Sequence, residues 1–176
     1  MKAALQLARR QPKQEPLYLV HHILVLDAFL TEPLDYRQHV DITRHFIAEV
    51  LSVLDMQPLG ELGIYPAVDH RAPGWSFIQP ITTSHISAHY FEKPGRMPHI
   101  RLDAYSCDSI NWDQLINVCH KHFQLSDWHA TFIDRRIDHK AERRVVDLTG
   151  VGTRVISECL LSASSSAKSG GDQCVA

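Results

Sequence analysis

Apolar and polar positions alternate along this chain in short strand-like stretches, interrupted twice by longer segments of helical period. Residues 17–26 are mostly aliphatic and β-branched, broken only by His21 and His22, which predicts a largely buried strand followed by Asp27. Beyond Pro33 and Asp35, Val40, Phe46, Ile47, Val50, Leu51 and Leu54 recur at helical spacing, with Arg37, Gln38, Asp41, Arg44 and Glu49 mainly opposite. The pattern predicts an amphipathic helix over 36–54 that covers one face of a sheet. Pro58 and Gly60 end it, residues 63–68 suit a second strand, and 69–74, with Pro73 and Gly74, read as a loop.

From Trp75 the period is two. Strands are predicted over 76–81 and 84–91, with Pro80 marking an edge or a break between them. On the second, His85, Ser87 and His89 share one face, opposite Ser84, Ile86 and Ala88. Pro94, Gly95 and Pro98 make a turn into residues 100–107, where Arg101, Asp103, Tyr105 and Cys107 share a face, so the two strands form a hairpin. Ser109 or Asn111 can cap a second helix with the apolar stripe Trp112, Leu115, Ile116, Cys119 and Phe123. Residues 128–133 read as a strand, and 145–148 and 155–161 as weaker ones separated by Gly150 and Gly152. This order predicts an α+β two-layer sandwich, an antiparallel sheet covered on one face by two helices. The expected organisation is a flexible arm over 1–16, one domain over 17–161 and a disordered Ser, Ala and Gly-rich tail over 162–176.

Composition narrows the function classes. The 176 residues are enough for one self-sufficient core. Lys plus Arg at 18 against Asp plus Glu at 20 leaves a net charge of -2, which argues against nucleic acid or an anionic membrane as partner. No apolar run approaches a bilayer span, and residues 1–10 lack the apolar core of a secretory signal. Cys107, Cys119, Cys159 and Cys174 show no C-x-x-C pair and no zinc-ligand spacing, so a cytoplasmic location is expected. The basic run Arg135, Arg136, His139, Lys140, Arg143 and Arg144 is punctuated by Asp134, Asp138 and Glu142 and reads as a solvated surface or a subunit contact. Cys119, His120, His122 and His129 can be drawn as a metal cluster, but Cys119 belongs to the apolar stripe, so no metal is assigned.

The chemistry concentrates in Thr82-Thr83-Ser84-His85-Ile86-Ser87-Ala88-His89, with Ser76 upstream and Cys107 downstream. Taken singly, these are ordinary strand hydroxyls, polar groups on a half-exposed face and a small core thiol. Together, Gly74-Trp75-Ser76-Phe77, Ser84-His85-Ile86-Ser87-Ala88-His89 and Asp103-Ala104-Tyr105-Ser106-Cys107 resemble, in order and spacing, the G-V-S-G, E-S-H-I-S-x-H and D-x-x-x-C-G segments of the bacterial S-adenosylmethionine decarboxylase family. Residues 24–27 resemble that family's first strand, and the likeness spans roughly 17–133.

The resemblance implies a proenzyme that cuts itself between Thr83 and Ser84. Ser84 Oγ attacks the Thr83 carbonyl, the amide becomes an ester, and β-elimination leaves Ser84 as a pyruvoyl group at a new N-terminus. Ser76 and His89 stand at the positions of the processing residues. The pyruvoyl carbonyl then forms a Schiff base with the substrate amine and replaces pyridoxal phosphate as electron sink. Cys107 matches the proton donor, and an ordinary thiol, with a pKa of about 8.5, is mostly protonated at neutral pH. The substrate implied is S-adenosylmethionine, in spermidine biosynthesis, and the assembly implied is a homodimer of cleaved chain pairs.

Three positions depart from the family pattern. Thr83 replaces glutamate before the cleaved serine, His70 stands where an adenine-stacking aromatic is expected, and the W-P-E that follows the last histidine becomes Tyr90-Phe91-Glu92-Lys93-Pro94, with Glu92 a candidate for a ribose contact. These departures keep two alternatives open. One is a pyruvoyl decarboxylase of ornithine or arginine, and the other is an unprocessed, non-enzymatic relative that binds a ligand or partner subunit.

Overall fold

The computed structural model describes residues 20–92, 96–135, 144–162 and 173–175. Among these residues nine antiparallel strands form one sheet: β1 (His22–Leu30), β2 (Gly63–Ala67), β3 (Gly74–Ile81), β4 (Ser84–Phe91), β5 (His99–Ser106), β6 (Leu125–Asp134), β7 (Arg144–Val151), β8 (Arg154–Ser162) and β9 (Gln173–Val175). Their order across the sheet is β2-β3-β4-β5-β1-β6-β7-β8-β9. Two helices, α1 (His39–Val53) and α2 (Trp112–Phe123), lie on one face, which gives the expected α+β two-layer sandwich. Each helix leads into a run of strands joined in sequence order, β2 to β5 after α1 and β6 to β9 after α2.

The period of two decides which side chains meet the helices. Leu24, Leu26, Ala28 and Leu30 of β1, Ile86, Ala88 and Tyr90 of β4, and Ile100, Leu102 and Ala104 of β5 are buried beneath them. From the helices, Phe46, Ile47 and Val50 of α1 and Leu115, Ile116, Cys119 and Phe123 of α2 close this core. Phe46 sits at the junction, 4.6 Å from the Phe123 ring and 5.8 Å from that of Phe77. The indole of Trp75 is buried with its Nε1–H donating to Thr43 Oγ1 at 3.0 Å, so the polar atom of a large core residue stays satisfied. The opposite face of the sheet carries no helix among the described residues.

Most predicted elements form, with shifted ends. β1 starts later than expected and runs on through Asp27 to Leu30, because Asp27 points to the uncovered face, where Arg101 pairs with it at 3.4 Å. The helix expected over 36–54 is a 3₁₀ turn, Tyr36–Gln38, followed by α1. Asp35 accepts the Arg37 backbone N–H at the entry, and the same arginine holds its carboxyl below the usual range. Pro80 does not interrupt β3 but lies within it, opposite His85. Asn111 caps α2 by accepting the Gln114 N–H.

The weakest predictions, residues 145–148 and 155–161, are full strands that form a hairpin. Gly152, with φ of +59°, makes its turn, and the neighbouring Trp128 indole donates to the Gly152 carbonyl at 2.9 Å. The Trp128 ring occupies the space where a Cβ on Gly150 would stand, 2.1 Å from the ring carbon. Gln173–Val175, in the tail expected to lack structure, pair instead with β8, Cys174 standing opposite Cys159 in register. Cys159 is disulfide-bonded, which departs from the expectation of thiols in a reducing compartment, while Cys107 and Cys119 are free. Among the described residues no helix is long and apolar enough to cross a membrane. The arm over 1–16 and most of the basic run lie outside the described residues.

Replacing Gly150 with alanine is expected to lower unfolding stability by about 1–3 kcal/mol through overpacking against Trp128. Urea denaturation measures this, and an unchanged midpoint would show that the indole is not seated on the hairpin.

Candidate active site

β3 and β4 are joined by only two residues, Thr82 and Thr83, with Ile81 paired to Ser84. The proposed cleavage point is therefore the tip of a tight hairpin. Ser84 also stands opposite Ser106, the last residue of β5, so the chain leaving β5 passes directly beside the tip. There the Cys107 backbone N–H donates to the Thr83 carbonyl oxygen at 2.8 Å. That carbonyl is the one an attack by Ser84 would convert to a tetrahedral centre, and the N–H points at the oxygen that would gain charge.

The turn after β5 is fixed by two further bonds. Buried Ser106 Oγ accepts the Asp108 N–H at 2.9 Å, and His22 Nδ1 accepts the Ile110 N–H at 2.9 Å. The His22 Nε2 faces Asp134 at 3.8 Å. Ser84 Oγ lies 3.2 Å from His85 Nδ1, and φ of Ser84 is 157°, at the border of the extended region. Thr83 Oγ1 is buried without a hydrogen-bond partner. Thr83, Ser84 and Cys107 are thus brought together by the β3–β4 turn and the β4–β5 register.

Ser76 and His89 also meet, but elsewhere. They stand opposite each other in the β3–β4 register, and Ser76 Oγ is hydrogen-bonded to His89 Nδ1. Burial, with a smaller contribution from His99, holds the His89 imidazole below the usual histidine range, so it is neutral and able to take a proton at neutral pH. His89 lies five positions along β4 from Ser84, about 17 Å at the rise of a strand. It also projects from the uncovered face, together with His85 and Ser87. Within one chain the two halves of the predicted constellation are separate.

The remaining candidates sit at the His89 end. His70 is almost fully exposed in the loop before Gly74, 3.8 Å from Asp69. Glu92 accepts a 3.3 Å hydrogen bond from the Tyr90 hydroxyl, whose own oxygen accepts the Leu34 N–H at 3.0 Å. Burial pushes the Tyr90 pKa up to about 12, which keeps it a donor. The histidines drawn as a metal cluster are committed to separate partners: His120 to the Leu125 carbonyl, His122 to Glu49 and His129 to Asp147. Cys119 is buried, and burial raises its thiol pKa far above the ordinary value.

Reading the sequence missed the contributions of His21, His22 and Tyr105. The two histidines were visible only as interruptions of an apolar run. Tyr105 was placed correctly by alternation, on the face it shares with His85, and its hydroxyl meets His21 Nδ1 at 2.7 Å.

Comparison with known proteins bears on the family and the fold. The family model for S-adenosylmethionine decarboxylase matches residues 23–136, about two thirds of the chain, and ends before β7. No curated protein matches the chain. Among solved structures, the crystal structure of the adenosylmethionine decarboxylase from Aquifex aeolicus VF5 is similar, with a TM-score of 0.54 and 13% identity over 70% of this chain and 97% of that one. At that identity the likeness is one of fold. The match to the family model covers the hairpin tip, the Ser76–His89 pair and Cys107 together, and on that footing the chain belongs to the S-adenosylmethionine decarboxylase family.

Proposed function

We propose that this chain is a pyruvoyl-dependent decarboxylase of S-adenosylmethionine, supplying spermidine biosynthesis, and that it matures by cutting itself between Thr83 and Ser84. The observation that carries the reading is the Cys107 N–H on the Thr83 carbonyl, next to the hydroxyl of Ser84. A hydroxyl beside a polarised amide carbonyl, with an N–H on the oxygen, is the arrangement that an N-to-O acyl shift requires. Ester formation is followed by loss of the Ser84 α-proton and departure of the Thr83 carboxylate, which leaves a dehydroalanine at position 84; this tautomerises to an imine, and addition of water with release of ammonia gives residues 84–176 a pyruvoyl terminus.

Residues at both ends of the hairpin fit the group that would form. A pyruvoyl group supplies an electron sink that takes up the pair left when carbon dioxide departs. Cys107 is half-buried with its backbone beside Ser84, and to its thiol we assign the return of a proton to the substrate α-carbon. Elimination needs a base, and neutral His89, hydrogen-bonded to Ser76, has the chemistry for it. Because those two lie about 17 Å along the strand from Ser84 in the same chain, we assign them to the site of a second copy. The homodimer is then a chemical requirement: Ser84 and Cys107 come from one chain, Ser76 and His89 from its partner. His70 and Glu92 sit at the His89 end and would reach the substrate from that same partner chain.

Intact mass of the purified protein is expected to show two fragments, 1–83 and 84–176, and a single uncut chain with decarboxylase activity would defeat the mechanism. Ser84→Ala is expected to remain uncut. Cys107→Ala keeps its backbone N–H, so it is expected to be cut and to lose turnover by about 100-fold or more, the range for removal of a proton donor; equal loss of cutting in both variants would undo these roles. Carbon dioxide release measured with adenosylmethionine, ornithine and arginine identifies the substrate, and release from none of them would overturn the enzyme reading in favour of a binding relative.

Shared sites make a second prediction. Ser84→Ala and His89→Ala chains, each uncut alone, are expected to yield cut His89→Ala chains when produced together, since a mixed pair holds one complete site. Failure of the mixture to cut would return Ser76 and His89 to a structural role.

A further inference from the structure

The acyl shift that precedes chain cleavage moves a proton from Ser84 Oγ to the Ser84 amide nitrogen, and the pair Ser76 and His89, five strand positions away within the chain, is already assigned to the later elimination. Among the described residues the titratable side chain hydrogen-bonded to Ser84 is His85, with Nδ1 at 3.2 Å from Oγ. Its ring is not loosely placed. Tyr105, directly opposite in the β4–β5 register, stands edge-on to it with centroids 6.0 Å apart and an interplanar angle of 75°. The Tyr105 hydroxyl is in turn held by His21 Nδ1 at 2.7 Å. The Thr83 carbonyl accepts the Cys107 N–H, so acceptor, nucleophile and oxyanion donor converge on one peptide bond.

We propose that His85 is the proton shuttle of self-cleavage, and this rests on the reading that the chain is cut between Thr83 and Ser84. With Nδ1 unprotonated, the Ser84 hydroxyl donates to it. As Oγ bonds to the Thr83 carbonyl carbon, the hydroxyl proton passes to Nδ1 and the carbonyl oxygen takes the negative charge, facing the Cys107 N–H. Collapse of this centre breaks the bond from carbon to the Ser84 nitrogen, and Nδ1 gives its proton to that nitrogen as it leaves. The products are the Thr83–Ser84 ester and a free Ser84 amine; atoms and charges balance without an oxidant or any co-reactant. The role is chemical and confined to maturation, so turnover by chains already cut does not depend on it.

The test follows cutting of newly synthesised chains by intact mass over time, for the full-length wild type, His85→Ala and His85→Gln. The wild type is expected to be cut, and both variants to be cut about 100-fold more slowly, within the range for a lost acid–base group. Free imidazole is expected to restore cutting of His85→Ala, whose ring site is open, and not of His85→Gln, which fills it. Cutting of either variant at the wild-type rate would overturn the proposal. Slow cutting of a soluble His85→Ala chain that imidazole does not restore would overturn it too, by assigning His85 a structural part. Should His85→Ala be insoluble, the rate of the isosteric His85→Gln decides. An uncut wild type overturns the cleavage reading itself, and is distinguished from the other outcomes by failing before any substitution is made.

Discussion

A hairpin closed by two residues leaves its tip short of hydrogen-bond partners, and the Thr83 carbonyl is the group exposed to that shortage. A buried carbonyl without a donor costs free energy comparable to a lost hydrogen bond, so the fold must bring one. It does so with the Cys107 N–H, at the end of a different strand. That placement depends on the β4–β5 register, in which Ser84 meets Ser106, and on the Ser106 hydroxyl and His22 that fix the turn beyond. The same contact therefore satisfies the backbone and polarises the bond proposed to be cut. Structural need and reactivity coincide at one oxygen.

The two faces of the sheet divide the remaining labour. One face is closed by α1 and α2 over a continuous apolar core, which holds β1, β4 and β5 in register. The other presents His85, His89, Asp27, Arg101 and Asp103, and no helix among the described residues lies over it. Strand geometry then forbids Ser84 and His89 from meeting in one chain, because five positions separate them in distance and alternation separates them in direction. A site that needs both must be assembled from two sheets. On the proposed reading, the separation within the single chain would make cutting depend on assembly.

Much of this was legible beforehand, for identifiable reasons. Strong period-two alternation over 84–91 placed His85, Ser87 and His89 on the face where they are found, and helical spacing located both helices to within a few residues. Register was not legible. Nothing local in Ser84 or Ser106 says that they are opposite, since pairing between β4 and β5 is set by the turn between them and by core packing. Hence the contact to the Thr83 carbonyl and the distance from Ser84 to His89 emerge only in three dimensions. The C-terminal hairpin was underrated for a related reason: its strength comes from Trp128, a residue of β6, filling the space over Gly150, a tertiary contact that leaves no period in 144–162.

Thr83 is where this chain departs from the family pattern at the bond proposed to be cut, and its surroundings bear on why the change is tolerable. The chemistry takes place at the backbone carbonyl, which the Cys107 N–H holds whatever side chain follows the α-carbon. Threonine adds a branched β-carbon that restricts its own rotation, and here its hydroxyl points into buried space without a partner. A buried, unpartnered hydroxyl is a cost that the native hairpin bears only while the peptide is intact. In the proposed cleavage Thr83 would become a chain end and its hydroxyl could return to water, so the penalty would favour the products over the intact turn.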